Sequence, residues 1–214
     1  MSPRRARVLS EESSPGALRR HLIAVTQRLL AAHGGAPLTT RQIAREAQVS
    51  DGVLYNHFSD KDDLVVTALA AQAKESADAF LAALPMPGSA TLEQNLRIIA
   101  EAALALHRST LPLLTSLFGS APLFHSLVTA MHSDPGPRQP FIATIEYLRA
   151  EQALARASAD ADPAAAAELL FGACQLRALI GHLQPPNVVV PAGGPDEAGD
   201  LTAVVTTLTR ALRP

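Results

Sequence analysis

Apolar residues recur at helical spacing along nearly the whole chain, and this periodicity constrains the fold more than any other sequence feature. Apolar residues make up 48% of the 214 residues, whereas aromatic residues make up only 4%. Most of the apolar residues are Ala and Leu, which favour helices, while strands are enriched in Val, Ile and aromatic side chains. We therefore predict an all-α fold.

Capping signals and breaks at Gly and Pro set the limits of the predicted helices. Thr39 with Gln42, and Thr91 with Gln94, have the spacing of a capping box, in which two side chains and two backbone amides bond reciprocally. Ser50 and Ser59 are further N-cap candidates. The predicted helices cover residues 15–33, 40–48, 51–58, 60–84, 91–107, 110–118, 122–132, 141–158, 163–182 and 201–212.

Charge is distributed unevenly along the chain. Residues 1–61 hold nine Lys or Arg against five Asp or Glu, and residues 62–214 hold nine against fifteen. The first part therefore carries a formal charge of +4 and the second a charge of −6. A basic amino-terminal part is a candidate for contact with a polyanion, whereas an acidic remainder is not.

Residues 109–133 carry no formal charge over 25 positions, which is long enough to cross a bilayer. Pro112, Gly119 and Pro122 interrupt this stretch, and its Ser, Thr and His residues favour the wall of a polar cavity over a membrane span. The single cysteine, Cys174, cannot form an internal disulfide, and the amino terminus lacks a secretory signal pattern. We expect a cytoplasmic protein without a membrane partner.

The strongest functional signal is a pair of short predicted helices joined by residues 48–50, which is the geometry of a helix-turn-helix. Ile43 and Ala44 would brace the first helix against the core, and Leu54 and Phe58 would anchor the second. The opposite face, next to Lys61, presents Asp51, Gly52, Val53, Tyr55, Asn56 and His57. Such a strip fits a surface that reads the DNA major groove and contacts the flanking phosphates.

The sequence of this segment is distinctive. It contains TRQIAREA at 40–47, Val49-Ser50, and LYNHFSDKDDL at 54–64, and the most specific part is the spacing Tyr-x-His-Phe-x-x-Lys-x-x-Leu. Together these residues resemble the DNA-binding signature of the tetracycline-repressor (TetR) family of bacterial transcription regulators. The resemblance is strong over residues 17–64 and only architectural afterwards.

The resemblance implies a division of the chain by function. It places a helix-turn-helix DNA-binding domain of three helices at residues 15–60. A larger helical domain for effector binding and dimerisation would occupy residues 61–214. Residues 1–14 lack apolar periodicity, so we predict a disordered basic arm there.

The resemblance also implies roles for single residues. Tyr55, His57 and Lys61 would donate hydrogen bonds to phosphates, and Thr40 and Arg41 would meet the DNA backbone at a helix amino terminus. The other candidates on the strip are Ser50, Asp51, Gly52, Val53 and Asn56. In chemical terms, an Asn amide can pair with adenine and a Val methyl can contact the thymine methyl.

Two positions depart from the family pattern. Gln48 stands in the turn where the family often has glycine, so the turn must either tolerate a larger residue or adopt another conformation. Asp51 brings negative charge to a groove lined by phosphates. It could accept from a cytosine amine or simply compensate the helix dipole.

The uncharged stretch and the helix after it supply a candidate pocket for a small apolar or aromatic effector. The same residues could equally be ordinary core. The candidate lining residues are His107, Leu113, Phe118, Phe124, His125, Met131, Phe141 and Tyr147.

A helix-turn-helix of this size makes few base contacts, so specificity favours two copies on half-sites about 34 Å apart. We therefore expect a homodimer on double-stranded DNA. The smooth apolar helices at 141–158 and 163–182 could pair with their symmetry mates, as the last helices do in similar proteins, or could be the core of a monomer. The candidate interface residues are Leu169, Ala173, Leu176 and Ile180.

These features predict a repressor that leaves a palindromic operator when an effector binds, with the long helix at 60–84 linking the two functions. An activator, or a helical protein-binding adaptor with a non-functional DNA motif, is an alternative. We expect no enzymatic activity, because no nucleophile with its base and no acid pair is visible. We expect no metal or cofactor, because His107, His125, His132 and His182 lack ligand spacing.

Overall fold

The computed structural model describes residues 16–33, 38–117, 120–132, 138–183 and 200–214, and all regular secondary structure in those ranges is helical. The predicted all-α fold is confirmed. In chain order the helices are α1 (Ala17–His33), α2 (Thr40–Glu46), α3 (Asp51–Leu54), α4 (Lys61–Ala83), α5 (Leu92–Leu117), α6 (Ala121–His132), α7 (Gln139–Ala153), α8 (Pro163–Leu183) and α9 (Thr202–Ala211).

Several predicted features lie outside the described residues. They are the basic arm predicted at 1–14 and residues 34–37, 133–137 and 184–199, which lie between predicted helices.

Both predicted capping boxes are confirmed. The Gln42 amide donates to Thr39 Oγ1 at 3.2 Å, and the Thr39 amide donates to Gln42 Oε1 at 2.8 Å. Thr91 and Gln94 form the same pair of bonds at the start of α5. These bonds satisfy amides that the first turn of a helix leaves without partners, so they fix where α2 and α5 begin.

The start of α4 differs from the prediction, because Asp60 rather than Ser59 caps it. The Asp63 amide donates to Asp60 Oδ1 at 2.8 Å. Ser59 instead donates from its backbone amide and its hydroxyl to Asp63 Oδ2. A carboxylate is the stronger acceptor beside the positive end of a helix, which explains the choice.

The predicted break between two helices at 107–110 is wrong, because α5 continues through Pro112 to Leu117. Ser109 and Thr110 turn their hydroxyls back onto the Leu106 carbonyl oxygen, at 2.9 and 2.8 Å. This back-bonding keeps Ser and Thr side chains within a helix. The pattern of polar residues before a proline therefore did not signal a loop here.

The described residues fall into two compact units that interleave along the chain. One comprises those within 1–72 and 112–133, and the other those within 73–111 and 134–214. The functional division at residue 60 suggested by the sequence thus does not coincide with a division between units. It stays a prediction about function.

Each unit has its own apolar core. The core of the first unit is built on α1, α2, α3, the beginning of α4, the end of α5 and α6. Its largest fully buried side chains are Leu22, Ile43, Leu64, Leu69 and Leu117. The core of the second unit is built on the end of α4, most of α5, α7, α8 and α9, with Phe80, Leu96, Ile99, Leu148, Leu170 and Leu201 fully buried.

Of the helices in the described ranges, α8 alone is long and apolar enough to cross a membrane by length and composition. This is weak evidence, because a core helix passes the same criterion. The residues that α8 contributes to the core of the second unit are Ala166, Ala167, Leu170, Cys174 and Ala178.

Candidate functional site

The predicted helix-turn-helix is formed by α2 and α3, with residues 47–50 between them. Ile43 and Ala44 of α2 and Leu54 of α3 are buried in the first core, as predicted. Phe58 is also buried there, although α3 ends at Leu54 and residues 55–57 continue as turns. The buried side of this pair is thus apolar, and its other side is available to a partner.

The turn between the two helices closes with a Schellman motif. The Val49 amide donates to the Ala44 carbonyl oxygen at 3.0 Å, and the Gln48 amide donates to the Arg45 carbonyl oxygen at 3.2 Å. This motif requires a left-handed residue, and Gln48 adopts it with a φ of 57°. The turn therefore keeps its conformation with a non-glycine residue at a steric cost.

Gln48→Gly is expected to raise the free energy of unfolding by about 1 kcal/mol, because glycine adopts the left-handed conformation without the Cβ clash. The Gln48 side chain is exposed, so its loss removes little packing. Urea unfolding of the full chain measures the change. Gln48→Ala is the matched control, because it keeps the Cβ and should leave the free energy of unfolding unchanged. Equal free energies of unfolding for the Gly and Ala variants would show that the left-handed conformation of Gln48 is not strained.

The outward side of α3 is open. Ser50, Asp51, Gly52 and Asn56 are exposed, and Val53 is half-buried. A Cβ at Gly52 would meet no atom within 4 Å, so the backbone there is accessible to a close partner. Ser50 stands at the N-cap of α3, but its side chain makes no capping hydrogen bond, so the hydroxyl can donate to or accept from a bound partner.

The three candidate phosphate donors differ in their surroundings. Tyr55 is 58% exposed, and His57 is half-buried. Lys61 Nζ lies 3.3 Å from Asp62 Oδ1 in a partly exposed ion pair. Such pairs contribute little to stability, so a phosphate can compete for the ammonium group. At the start of α2, Thr40 is half-buried and Arg41 exposed.

Two residues of α1 support this surface, and sequence reasoning missed both. His21 Nε2 donates to the Ala47 carbonyl oxygen at 3.2 Å, which ties α1 to the turn. The Arg19 guanidinium lies 4.9 Å from the centre of the Phe58 ring, a cation–π distance. No local pattern signals contacts between positions so far apart in sequence. Arg19 adds an exposed positive charge at the edge of the unit.

The part of the chain with this geometry matches a known family. Residues 22–68 match the family model for bacterial regulatory proteins of the tetR family. The segment that holds the helix-turn-helix is thus similar to the tetR family. A curated relative, the HTH-type transcriptional regulator HbdR from Aromatoleum sp. (strain CIB), is 44% identical over 52 residues. Those residues span 24% of this chain and only 23% of the relative.

Solved structures show that the tetR fold extends over nearly the whole chain. A chain from Mesorhizobium loti MAFF303099 assigned to the tetR family has a TM-score of 0.76 at 19% identity, covering 95% of this chain and 100% of that one. The transcriptional regulator FadR from Bacillus subtilis, solved with stearoyl-CoA, has a TM-score of 0.58 at 15% identity and covers 90% and 96%. At these identities the likeness concerns the fold alone.

The candidate effector residues do not all come together. His107 and Phe141 lie in the second unit, and both rings flank Phe171, which sequence reasoning missed. Phe124 and His125 belong to α6 in the first unit and are exposed. The side chains of Leu113, Phe118 and Met131 lie outside the described residues.

Tyr147, the last effector candidate, is buried and already bonded. Its hydroxyl donates to Glu151 Oε1 at 2.5 Å, and Glu151 also accepts from the Gly88 amide at 3.0 Å and from Arg156 Nε at 2.7 Å. Burial raises the pKa of Tyr147, and the bond to Glu151 raises it further. These contacts give Tyr147 a structural role in holding the loop between α4 and α5.

Helix α8 carries the candidate dimer residues on a side away from the core. Leu169 is 66% exposed and Leu176 is 52% exposed, while Ala173 and Ile180 are half-buried. Leu183, 67% exposed, continues the same line and was missed by sequence reasoning. We call Leu169, Ala173, Leu176, Ile180 and Leu183 the α8 stripe. It is an apolar surface without a described partner in the chain.

Chemically reactive or metal-binding groups are few in the described part of the chain. Burial raises the pKa of the Cys174 thiol to about 11, and the thiol donates to the Ala100 carbonyl oxygen at 3.4 Å. Such a thiol is unreactive packing. Among the same residues, no group of three or more His, Cys, Asp or Glu is placed to hold a metal ion.

Proposed function

We propose that this protein is a sequence-specific DNA-binding regulator of transcription of the tetR family, acting as a homodimer in the bacterial cytoplasm. The observation that carries the proposal is the open side of α3 and of the turns that follow it, where polar and apolar groups lie together. Tyr55, Asn56 and His57 supply donors and acceptors there, and Val53 supplies methyl groups. These groups suit phosphate contacts and base readout in the major groove.

The proposed contacts fall into two kinds. Tyr55, His57, Lys61, Thr40 and Arg41 would contact phosphates and so position the protein on the duplex. The residues that would contact base edges, or lie against them, are Ser50, Asp51, Gly52, Val53 and Asn56. Asp51 lies in the first turn of α3, where its charge also compensates the helix dipole.

A homodimer is proposed because one module reads too few base pairs for useful specificity. The α8 stripe supports this, since exposed Leu side chains at helical spacing bury well against a symmetry-related copy. Two copies related by a two-fold axis would read a palindromic operator with half-sites about 34 Å apart.

Leu176→Glu is expected to convert the dimer to a monomer, because it places two charges within the paired α8 stripes. Leu176 is exposed within one chain, so each copy should still fold. Sedimentation measures the mass of the variant in solution and so its oligomeric state. We also expect the affinity of the variant for the operator to fall at least tenfold. Met86→Glu is the matched control, as Met86 is 76% exposed in a loop. A dimer that survives Leu176→Glu would rule out this interface.

A ligand-relieved repressor is the mode of action we propose. Helix α4 runs from the helix-turn-helix unit into the second unit, where His107 and Phe141 lie beside Phe171. An effector that favours a conformation with the wrong half-site separation must weaken DNA binding by linkage. The stearoyl-CoA held by one structural relative supports a ligand-responsive role.

Selection of genomic fragments by the purified chain tests the proposal. The selection is carried out at about 150 mM salt with bulk competitor DNA, because affinity for DNA depends strongly on salt. We expect enrichment of a palindrome and protection of two half-sites. A chain that enriches no sequence at low or moderate salt would favour the protein-binding adaptor instead.

A further inference from the structure

We propose that His21 is a positioning residue for DNA recognition. By donating to the Ala47 carbonyl oxygen, it holds the turn before α3 in the strained conformation that Gln48 adopts, and so keeps α3 in the orientation that reads bases. The inference rests on the proposed function and goes further, because it names a residue outside the helix-turn-helix on which specificity depends. It also explains how this chain accommodates a non-glycine residue in the turn.

The contact joins α1 to the carboxy-terminal end of α2. His21 Nε2 lies 3.2 Å from the Ala47 carbonyl oxygen, and because a carbonyl oxygen can only accept, Nε2 carries the proton. Ala47 is the C-cap of α2 and is only 4% exposed. The residues that the structure describes offer this oxygen no second donor. Loss of the imidazole therefore leaves a buried carbonyl group without a partner.

The turn is strained at the residue that follows Ala47. Gln48 has a φ of 57°, in the left-handed region where the Cβ of an L-residue crowds the backbone. Such conformations persist only where the surrounding structure fixes them. Both bonds of the Schellman motif lie within α2 and the turn, whereas the bond from His21 reaches the turn from another helix. His21 thus supplies a constraint from outside the helix-turn-helix.

Two costs of the same order decide the conformation of the turn. The left-handed conformation costs Gln48 free energy, and an unpartnered carbonyl group at Ala47 also costs free energy. While His21 is present, a turn that relaxes at Gln48 breaks the bond to Ala47. Without His21 that penalty disappears. Ser50, the N-cap of α3, follows Gln48 by two residues, so relaxation of the turn redirects α3.

A change in the direction of α3 affects the two kinds of DNA contact differently. Base contacts require α3 to lie correctly in the major groove, whereas phosphate contacts supply binding to DNA of any sequence. Arg41 on α2 and Lys61 on α4 keep their charges whatever the direction of α3. Loss of His21 should therefore lower the preference for operator over bulk DNA rather than the general affinity for DNA.

The affinities of the full chain for operator and for bulk DNA, measured at one salt concentration, test the inference. We expect His21→Phe to lower operator affinity about tenfold and bulk-DNA affinity by less than about twofold. His21→Gln should retain most of the preference, because its amide can donate to the same oxygen. Gln27→Leu is the matched control. It removes a bond of the same kind from α1, at 3.3 Å to the buried Ala68 carbonyl oxygen of α4, and should leave the preference unchanged.

A double variant shows whether His21 acts through the turn. Glycine adopts the left-handed conformation without strain, so adding Gln48→Gly to His21→Phe should restore operator affinity to within about twofold of the wild type. The coupling constant between the amide and Hα protons of Gln48, measured by NMR without DNA, reports φ directly. It should move toward a right-handed value in His21→Phe and stay unchanged in Gln27→Leu.

Three results would each overturn the inference: an unchanged coupling constant in His21→Phe, an operator preference that survives in that variant, or no rescue by Gln48→Gly. His21→Met takes the place of His21→Phe if the latter does not fold, with the same expected results. A wild-type chain that selects no operator refutes the proposed regulator and this inference with it. An operator that wild type and His21→Phe bind equally well refutes the inference alone.

Discussion

Tyr55→Ala is expected to lower the affinity of the dimer for its operator about 100-fold. A hydrogen bond to a charged group contributes about 1.5 kcal/mol, and the substitution removes one from each of two half-sites. The sum of about 3 kcal/mol corresponds to roughly two orders of magnitude in affinity. Because Tyr55 is more than half exposed, the variant should fold as the wild type does.

Two further variants separate the causes of this loss. Tyr55→Phe keeps the ring and removes only the hydroxyl. If Tyr55 donates a hydrogen bond to a phosphate, this variant should show most of the loss in operator affinity. Neither Tyr55 variant should change the dependence of affinity on salt, because a neutral hydroxyl releases no counterion. Lys61→Gln should lower the salt slope by about one for each half-site. Wild-type affinity in Tyr55→Ala would refute the proposed contact.

Glu151→Ala is expected to lower the free energy of unfolding by about 3 kcal/mol, because it removes a buried carboxylate that accepts hydrogen bonds from three donors, one of them the partly exposed Arg156. Glu151 is fully buried and accepts hydrogen bonds from Tyr147, Gly88 and Arg156. Arg156 also donates to the Ala90 carbonyl oxygen, so the carboxylate and the guanidinium together hold the loop after α4. Chemical unfolding of the second unit measures the loss.

Tyr147→Phe is the comparison for this network, since it removes one hydrogen bond to Glu151 and should cost about 1–2 kcal/mol. A loss in Glu151→Ala no larger than that of Tyr147→Phe would show that the buried charge matters little. DNA affinity at neutral pH should be close to wild type in Tyr147→Phe, because the residue lies in the second unit.

The same network makes stability depend on pH. Burial alone would raise the pKa of Glu151, but the hydrogen bonds from Tyr147, Gly88 and Arg156 lower it from its usual value of 4.5. A carboxyl with a lowered pKa in the folded state stabilises the fold above its unfolded pKa. That stability is lost as the pH falls below about 4.5, and Glu151→Gln should be less sensitive to acid than the wild type.

Sequence reasoning succeeded where the signals are local. The capping boxes at Thr39 and Thr91 are confirmed, as is the helix-turn-helix around residues 48–50. Capping bonds join residues three positions apart, so the two residue types suffice to predict them. The predictions of a helix break before Pro112 and of a cap at Ser59 were wrong. Each depended on which of several nearby polar groups forms a hydrogen bond, and the sequence pattern does not decide that.

Helix α8 shows where periodicity fails. Apolar residues lie on more than one of its sides, so spacing alone could not tell which of those sides meets the core. The structure buries Ala166, Leu170 and Cys174 and leaves Leu169 and Leu176 exposed. Phe171 was missed for the same reason, although it joins His107 and Phe141 in one cluster.

The sequence by itself determined the helical fold, the helix-turn-helix and the exposed strip on α3 and the turns after it, because these follow from spacing along one segment of chain. The tertiary structure decided what depends on residues distant in sequence. It put Glu151 in contact with Gly88 and Arg156, and placed His107 against Phe171. Such contacts depend on which helix faces pack together, and no local pattern encodes that choice.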